Sequence, residues 1–135
     1  MNSFIIHILA SEHSFYEGPC ESLVVPTIRG QYGIQAGHSN LISAVAPGKL
    51  TFRVPGGENQ ILAVSEGIVK VEHGEVLVLV DTAERPEDID VNRAKRAAEE
   101  AKEEMLQKRS VQEYRAAQAQ LARALNRLKV KNTRV

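Results

Sequence analysis

Asp90 and Arg93 stand three residues apart, so on a helix they share one face. A guanidinium offers phosphate a planar fork of donors. The carboxylates of Asp90 and of Glu84, six residues earlier, accept hydrogen bonds from an amine or a hydroxyl. A plainer reading stands beside this one: Asp90 caps a helix and Arg93 pairs with a carboxylate. Other chemistries lack their residues. No nucleophile has a base beside it, and His7, His13, His38 and His73 are too scattered for metal-ligand spacing. Gly30, Gly33 and Gly37 are followed by no Gly-Lys-Ser/Thr, so they make no Walker phosphate loop. Asp90 and Arg93 thus come without a metal site, a positioned base or a phosphate-loop lysine, and hydrolysis is the least supported reading. The single cysteine, Cys20, excludes an internal disulfide framework and fits a reducing compartment. It reads as a small apolar residue in or near a strand, because no flanking basic group lowers its pKa. With no Trp, three Phe and three Tyr, the chain has no stacking platform for single-stranded nucleic acid.

The elements that hold these residues fall into two parts. All nine glycines and all five prolines lie at or before Pro86. Both types are poor in helix interiors, so residues 1–85 read as a turn-rich β body and 86–135 as a helical arm. The formal net charge of zero splits at the same place. The body carries 5 Lys/Arg against 9 Asp/Glu, and the arm 12 against 8, an acidic body and a basic arm. A body of this size buries a modest core without staples. No run of about 18 apolar residues exists to span a membrane, and the N-terminus lacks the basic start of a signal peptide.

Short apolar or alternating runs at Phe4 to Leu9, Leu23 to Val25, Leu50 to Val54, Ile61 to Val64, Ile68 to Val71 and Val76 to Val80 predict strands. A hairpin is expected across His73-Gly74-Glu75. Closely spaced strands argue for an antiparallel β-sandwich or flattened barrel. The glycines from Gly30 to Gly37 predict a tight exposed loop. In the arm, Val91, Ala94, Ala98, Ala101 and Met105, then Tyr114, Ala117, Leu121, Ala124 and Leu128, step by 3, 4, 3, 4. Each set is an apolar stripe, so the arm reads as an α-helical hairpin and the fold class as α+β in two parts. Asp88 or Asp90 caps the first helix. Ser110 and Glu113 open the second as a capping box, which places the break near Gln107 to Ser110. Alanine stripes bury little area, and nothing in the turn forbids one continuous helix. The hairpin is either permanent or a two-state element reaching roughly 30 Å folded and about 70 Å straightened.

Several segments carry a resemblance. Arg29-Gly30-Gln31-Tyr32-Gly33-Ile34-Gln35-Ala36-Gly37-His38-Ser39-Asn40-Leu41 resembles the Gly-Glu-x-Gly-Ile-x-Pro-Gly-His-x-x-Leu segment of the epsilon subunit of F-type rotary ATP synthases. Gln31 replaces the usual acid there and Ala36 the usual proline. Val64-Ser65-Glu66-Gly67-Ile68-Val69-Lys70-Val71 is similar to that family's Ser-Gly-Gly-x-x-x-Val strand pair. Asp81-Thr82-Ala83-Glu84 with Asp88-Ile89-Asp90 resembles its lead into the helices. The match covers almost the whole chain.

The resemblance implies a non-catalytic central-stalk subunit that couples ion-driven rotation to ATP synthesis. Its body sits beside the gamma subunit, with Gln31 and His38 against the loops of the c-ring. Its arm extends toward the alpha and beta subunits and restrains ATP hydrolysis. Arg109, Arg115, Arg123, Arg127 and Lys129 are the basic residues that would meet an acidic segment of beta; a solvated helix face is their plainer fate. The resemblance also implies a peripheral place on the cytoplasmic face of a bacterial plasma membrane, without membrane insertion. The absence of a transit peptide favours a bacterial or organelle-encoded origin.

Ile89-Asp90-Val91-Asn92-Arg93-Ala94 resembles the ATP-binding signature Ile-Asp-x-x-Arg-Ala of some bacterial epsilon subunits. The implied ATP site comprises Glu84, Ile89, Asp90, Arg93, Ala94, Arg123 and Arg127. Where binding relatives place a further basic residue, this chain has Glu99 and Glu100, with Arg96 nearby. A half-exposed site of this kind predicts affinity between ~1 μM and 1 mM, about −8 to −4 kcal/mol. ATP would clasp the folded hairpin and keep the restraint off. A free-standing ATP sensor attached to no motor is the alternative. Nucleic-acid binding is not expected, because eight acids interleave with the arm's bases.

Overall fold

The structure is a computed structural model that describes residues 2–11, 13–107 and 110–132. Nine strands form the body: β1 (Phe4–Ala10), β2 (Ser14–Cys20), β3 (Ser22–Thr27), β4 (Gly30–Gln35), β5 (Leu41–Val45), β6 (Gly48–Arg53), β7 (Asn59–Val64), β8 (Gly67–Glu72) and β9 (Glu75–Val80). A two-residue β10 (Ala83–Glu84) and a short 3-10 turn at Pro86–Asp88 lead to α1 (Val91–Gln107) and α2 (Val111–Lys131). Two five-stranded sheets result, in the orders β2-β1-β9-β8-β5 and β10-β7-β6-β3-β4. This is a β-sandwich followed by a helical hairpin, as the sequence predicts.

Alternation builds the core. Ile6 and Ile8 of β1, Val76 and Val78 of β9, and Leu50 and Phe52 of β6 are all at most 2% exposed, while their neighbours in sequence face outward. In the β8–β9 hairpin Glu72 pairs with Glu75. His73 and Gly74, with φ of 50° and 78°, make the two-residue turn of positive φ that matches strand twist.

Two expectations need correction. The stretch from Gly30 is not a loop throughout. Residues Gly30–Gln35 form β4, paired antiparallel with β3 from Thr27↔Gly30 to Ser22↔Gln35. Gly30 and Gly37 have positive φ, but Gly33 does not, so it takes ordinary extended geometry in the strand. The sandwich is also not wholly antiparallel. β1 runs parallel to β9, from Ile5↔Glu75 to Ala10↔Val80.

The arm folds back on itself. Ala94, Ala98 and Ala101 of α1 and Ala117 and Ala124 of α2 are all buried, at 0–4% exposure. Asp90 is the cap of α1, because its Oδ1 accepts from the Arg93 amide at 3.1 Å. Ser110 Oγ accepts from the Glu113 amide at 3.0 Å and caps α2. The hairpin then docks on the body. Strand β7 is buried on both faces: Leu62 and Val64 fill the core, whereas Ile61 and Ala63 meet Ile89 and Val130 in a second apolar cluster.

Candidate functional site

The end of the body and both helices converge beside β10 on a cleft of about 710 Å³. Ser11 and His13 line it from the β1–β2 turn, Asp81 to Glu84 from the body's last residues, and Asp88, Asp90, Arg93, Ala94 and Ala97 from the start of the arm. Arg127 closes it from α2. Of the residues implied for ATP, the structure thus gathers Glu84, Asp90, Arg93, Ala94 and Arg127. Ile89 is not on the wall but 4% exposed in the seam beneath it. Arg123 lines an adjoining recess with Asn126 and Arg127, and its Nη1 donates to Glu66 Oε1 at 2.8 Å.

The electrostatics of the cleft are uneven. Asp81, Glu84, Asp88 and Asp90 place four carboxylates against the two guanidiniums of Arg93 and Arg127. Several are already committed. Ser11 Oγ donates to Asp81 Oδ1 at 3.0 Å, Asp90 Oδ1 caps α1, and Arg127 Nε donates to Glu84 Oε1. The Arg93 side chain is exposed and has no hydrogen-bond or ion-pair partner among the described residues. Such a wall suits donors, meaning an amine or hydroxyls, along the acidic side. Phosphate oxygens fit only beside Arg93 and Arg127, and they reach Arg127 in competition with Glu84. Among the described residues, no group of three or more His, Cys, Asp and Glu is placed to hold a metal ion.

A second surface lies at the β3–β4 hairpin. Gln31 is exposed on β4. His38 does not project freely. Its Nδ1 bonds the Ser39 carbonyl at 2.7 Å and its Nε2 the Tyr32 hydroxyl at 2.8 Å. A carbonyl only accepts, so Nδ1 carries the proton and, in the neutral ring, Nε2 accepts from Tyr32. The two rings also meet edge-on, 5.5 Å apart. Ile28, at the tip of this hairpin, is 81% exposed. Sequence reasoning missed it; its signal is an apolar residue between Thr27 and Arg29-Gly30 in a turn.

A third surface is the outer face of the first sheet. The pairs Leu9↔Leu79, Leu79↔Ile68 and Ile68↔Ala44 run across four strands as one apolar row. Leu77 and Ile42 lie in the next row with His7 and Lys70. Ile42 is 69% exposed. Contiguous exposed apolar surface of this kind marks an interaction site.

The remaining arm residues divide. Arg115 and Lys129 are on the exposed part of α2, and Arg109 lies outside the described residues. Sequence reasoning missed Asn126 altogether. Its Nδ2 donates to Gly48 O at 2.9 Å and to Val64 O at 3.3 Å, the backbone carbonyls of two residues paired across β6 and β7. Lys131 Nζ donates to Pro86 O at 2.9 Å. The only signal for Asn126 is a polar residue on the same helix face as Arg123 and Val130. Among the described residues, no helix is long and apolar enough to cross a membrane.

Comparison with known proteins covers both halves. Residues 3–86 match the family model described as the β-sandwich domain of the ATP synthase delta/epsilon chain, and residues 87–132 that of its long α-helix domain. An ATP synthase epsilon chain of Ruminiclostridium cellulolyticum is 37% identical over 134 residues, covering 99% of both chains. Those of Caldanaerobacter subterraneus and Shouchella clausii are each 40% identical, covering 95% and 96% of this chain and 93% and 96% of theirs. A chain of the Euglena gracilis mitochondrial ATP synthase, in a structure of its OSCP, F1 and c-ring, shares the fold. Its TM-score is 0.77 at 23% identity, over 90% of this chain and 77% of that one.

Proposed function

The chain belongs to the delta/epsilon family of ATP synthase chains, as an epsilon subunit, and on that premise we propose that it is a stalk coupler whose arm is gated by nucleotide. It is a stalk subunit without a catalytic site of its own. The exposed apolar rows of the first sheet are the surface for the gamma shaft, since a β-sheet face so apolar needs a partner. The β3–β4 hairpin, with Ile28 and Gln31 outermost and His38 tied back to Tyr32, faces the polar loops of the c-ring. The basic arm, when released, reaches the alpha and beta subunits and restrains ATP hydrolysis. On this reading the chain works at the cytoplasmic face of a bacterial plasma membrane, as a peripheral part of the complex.

One observation carries the gating. With the arm docked, the cleft draws on three pieces at once: Glu84 of the body, Asp90 and Arg93 of α1, and Arg127 of α2. A ligand that needs all three binds the docked form alone and shifts the population toward it. ATP supplies donors for the carboxylate side and phosphates for Arg93 and Arg127. Plentiful ATP keeps the arm down, and scarce ATP releases it.

The test is reconstitution of an ATP synthase complex that lacks this subunit. The full chain and a chain ending at residue 86 are each added back. Both restore ion pumping driven by ATP, because the body couples. Only the full chain slows ATP hydrolysis, and it does so more strongly at low ATP. Equal hydrolysis with the two chains at every ATP concentration would refute the regulatory role.

A further inference from the structure

The stripe Arg123, Asn126, Arg127, Val130 and Lys131 follows the i, i+3, i+4, i+7, i+8 pattern of one helix face, and it is this face of α2 that meets the body. Ala117 and Ala124 are buried without contributing to that seam, in the face toward α1. Docking on the body and closing the hairpin therefore use separate faces of α2. The docked face spends both of its guanidiniums on body carboxylates, Arg123 on Glu66 and Arg127 on Glu84.

Glu66 is the less expected of the two. It stands in the β7–β8 turn at a position where the resembling strand-pair motif has glycine. Its backbone is fixed on both sides: Ser65 N donates to Thr82 O at 3.0 Å and Asp81 N to Glu66 O at 3.1 Å. The next residue is held just as closely, since a Cβ on Gly67 would lie 2.0 Å from Leu79 O. A backbone anchored this way keeps the Glu66 carboxylate within reach of one turn of α2. Among the described residues its side chain binds nothing but Arg123.

We propose that Glu66 is an internal competitor for Arg123: it occupies the guanidinium that an acidic partner surface would engage, and so sets how readily the docked arm is given up. This rests on the mobile-arm reading above. The pair is half-exposed, with side chains 25% and 49% accessible, so its influence is a bias rather than a lock. For an exposed ion pair the bias is about two- to fivefold in the docked-to-released ratio, and salt screens it. Asn126 is the salt-independent counterpart, because its carboxamide reads two backbone carbonyls.

The experiment uses the full chain with dyes on Ile28→Cys and Leu106→Cys, both sites well exposed and Cys20 buried. A helical peptide with glutamates one turn apart is the probe. Parent, Glu66→Gln and Asn126→Ala are compared in dilute buffer and at about 1 M salt, where the Debye length is about 3 Å. Glu66→Gln is expected to raise the released fraction and tighten peptide binding two- to fivefold in dilute buffer, with both effects gone at high salt. Asn126→Ala is expected to release the arm at either salt. If Asn126→Ala releases the arm while Glu66→Gln behaves as the parent, the competitor role is wrong and the mobile arm stands. If no variant changes the distance or binds peptide, the mobile-arm reading fails and takes this inference with it.

Discussion

Val130→Ala tests whether the arm is a separable part. Val130 is 1% exposed and belongs to the seam with Ile61, Ala63 and Ile89, not to the sandwich core. The substitution removes two methyl groups from full burial. At about 0.8 kcal/mol each, the lost transfer energy is roughly 1.6 kcal/mol. A cavity that does not collapse raises this toward ~2.5 kcal/mol. None of that loss touches the two inner faces of the sandwich, so it falls on docking, which weakens ~15-fold or more at 1.4 kcal/mol per tenfold. Limited trypsin digestion reads the effect at Arg123 and Arg127, which are occupied by Glu66 and Glu84 when the arm is down. With reclosing fast, cleavage tracks the released population and accelerates by the same factor. The melting temperature of the body should stay almost unchanged. If instead the faster cleavage comes with a melt lowered by the ~4–8 °C per kcal/mol expected of a small domain, arm and body are one cooperative unit. The arm then has no separate released state for a nucleotide to gate.

Two further substitutions and one titration test the fold. Gly67→Ala drives a Cβ to 2.0 Å from Leu79 O and 2.7 Å from Val80 Cα, both backbone, and should cost about 3 kcal/mol in urea unfolding. Gly33→Ala meets nothing within 4 Å and has no positive φ, so it should be neutral or slightly stabilising in the same measurement. Burial, as the leading cause, pushes the Cys20 thiol above its ordinary pKa. The unfolded thiol ionises first, near pH 8.5, while the folded one keeps its proton. The unfolded state therefore binds fewer protons in that window, and stability falls as pH rises through it. Urea midpoints of parent and Cys20→Ala, compared from pH 7 upward, should diverge in slope only on the alkaline side.

The strands with apolar alternation were legible: β1, β6, β8 and β9 each bury Ile, Val, Leu or Phe at two or more alternate positions. Strand β4 was hidden because its two glycines read as turn residues, although only Gly30 uses positive φ. Strand β2 was hidden by Gly18-Pro19, which ends at a sheet edge where an absent amide costs little. The parallel β1–β9 pairing joins the two ends of the body and leaves no local mark. The hairpin arm was readable from the spacing of its alanines, and the Asp90 and Ser110 caps from side-chain chemistry. The cleft was half readable. Asp90, Arg93 and Ala94 are neighbours in the chain, but Glu84 meets Arg127 across 43 residues, and Glu66 meets Arg123 across 57. Docking alone brings those pairs together. The same docking explains β7, whose unbroken Ile61 to Val64 run has one face for the core and one for the arm.

Calorimetric titration of the full chain with ATP reads whether a nucleotide closes this cleft. Asp90→Ala and Arg93→Ala are measured beside it, because one removes the acceptor at the start of α1 and the other the cleft's uncommitted guanidinium. A cleft that closes on ATP gives saturable heat in the parent, with an affinity between ~1 μM and 1 mM, and loses it in both variants. No saturable heat in the parent up to ~10 mM ATP, weaker than about −3 kcal/mol, would contradict it. Asp90 would then be a helix cap alone.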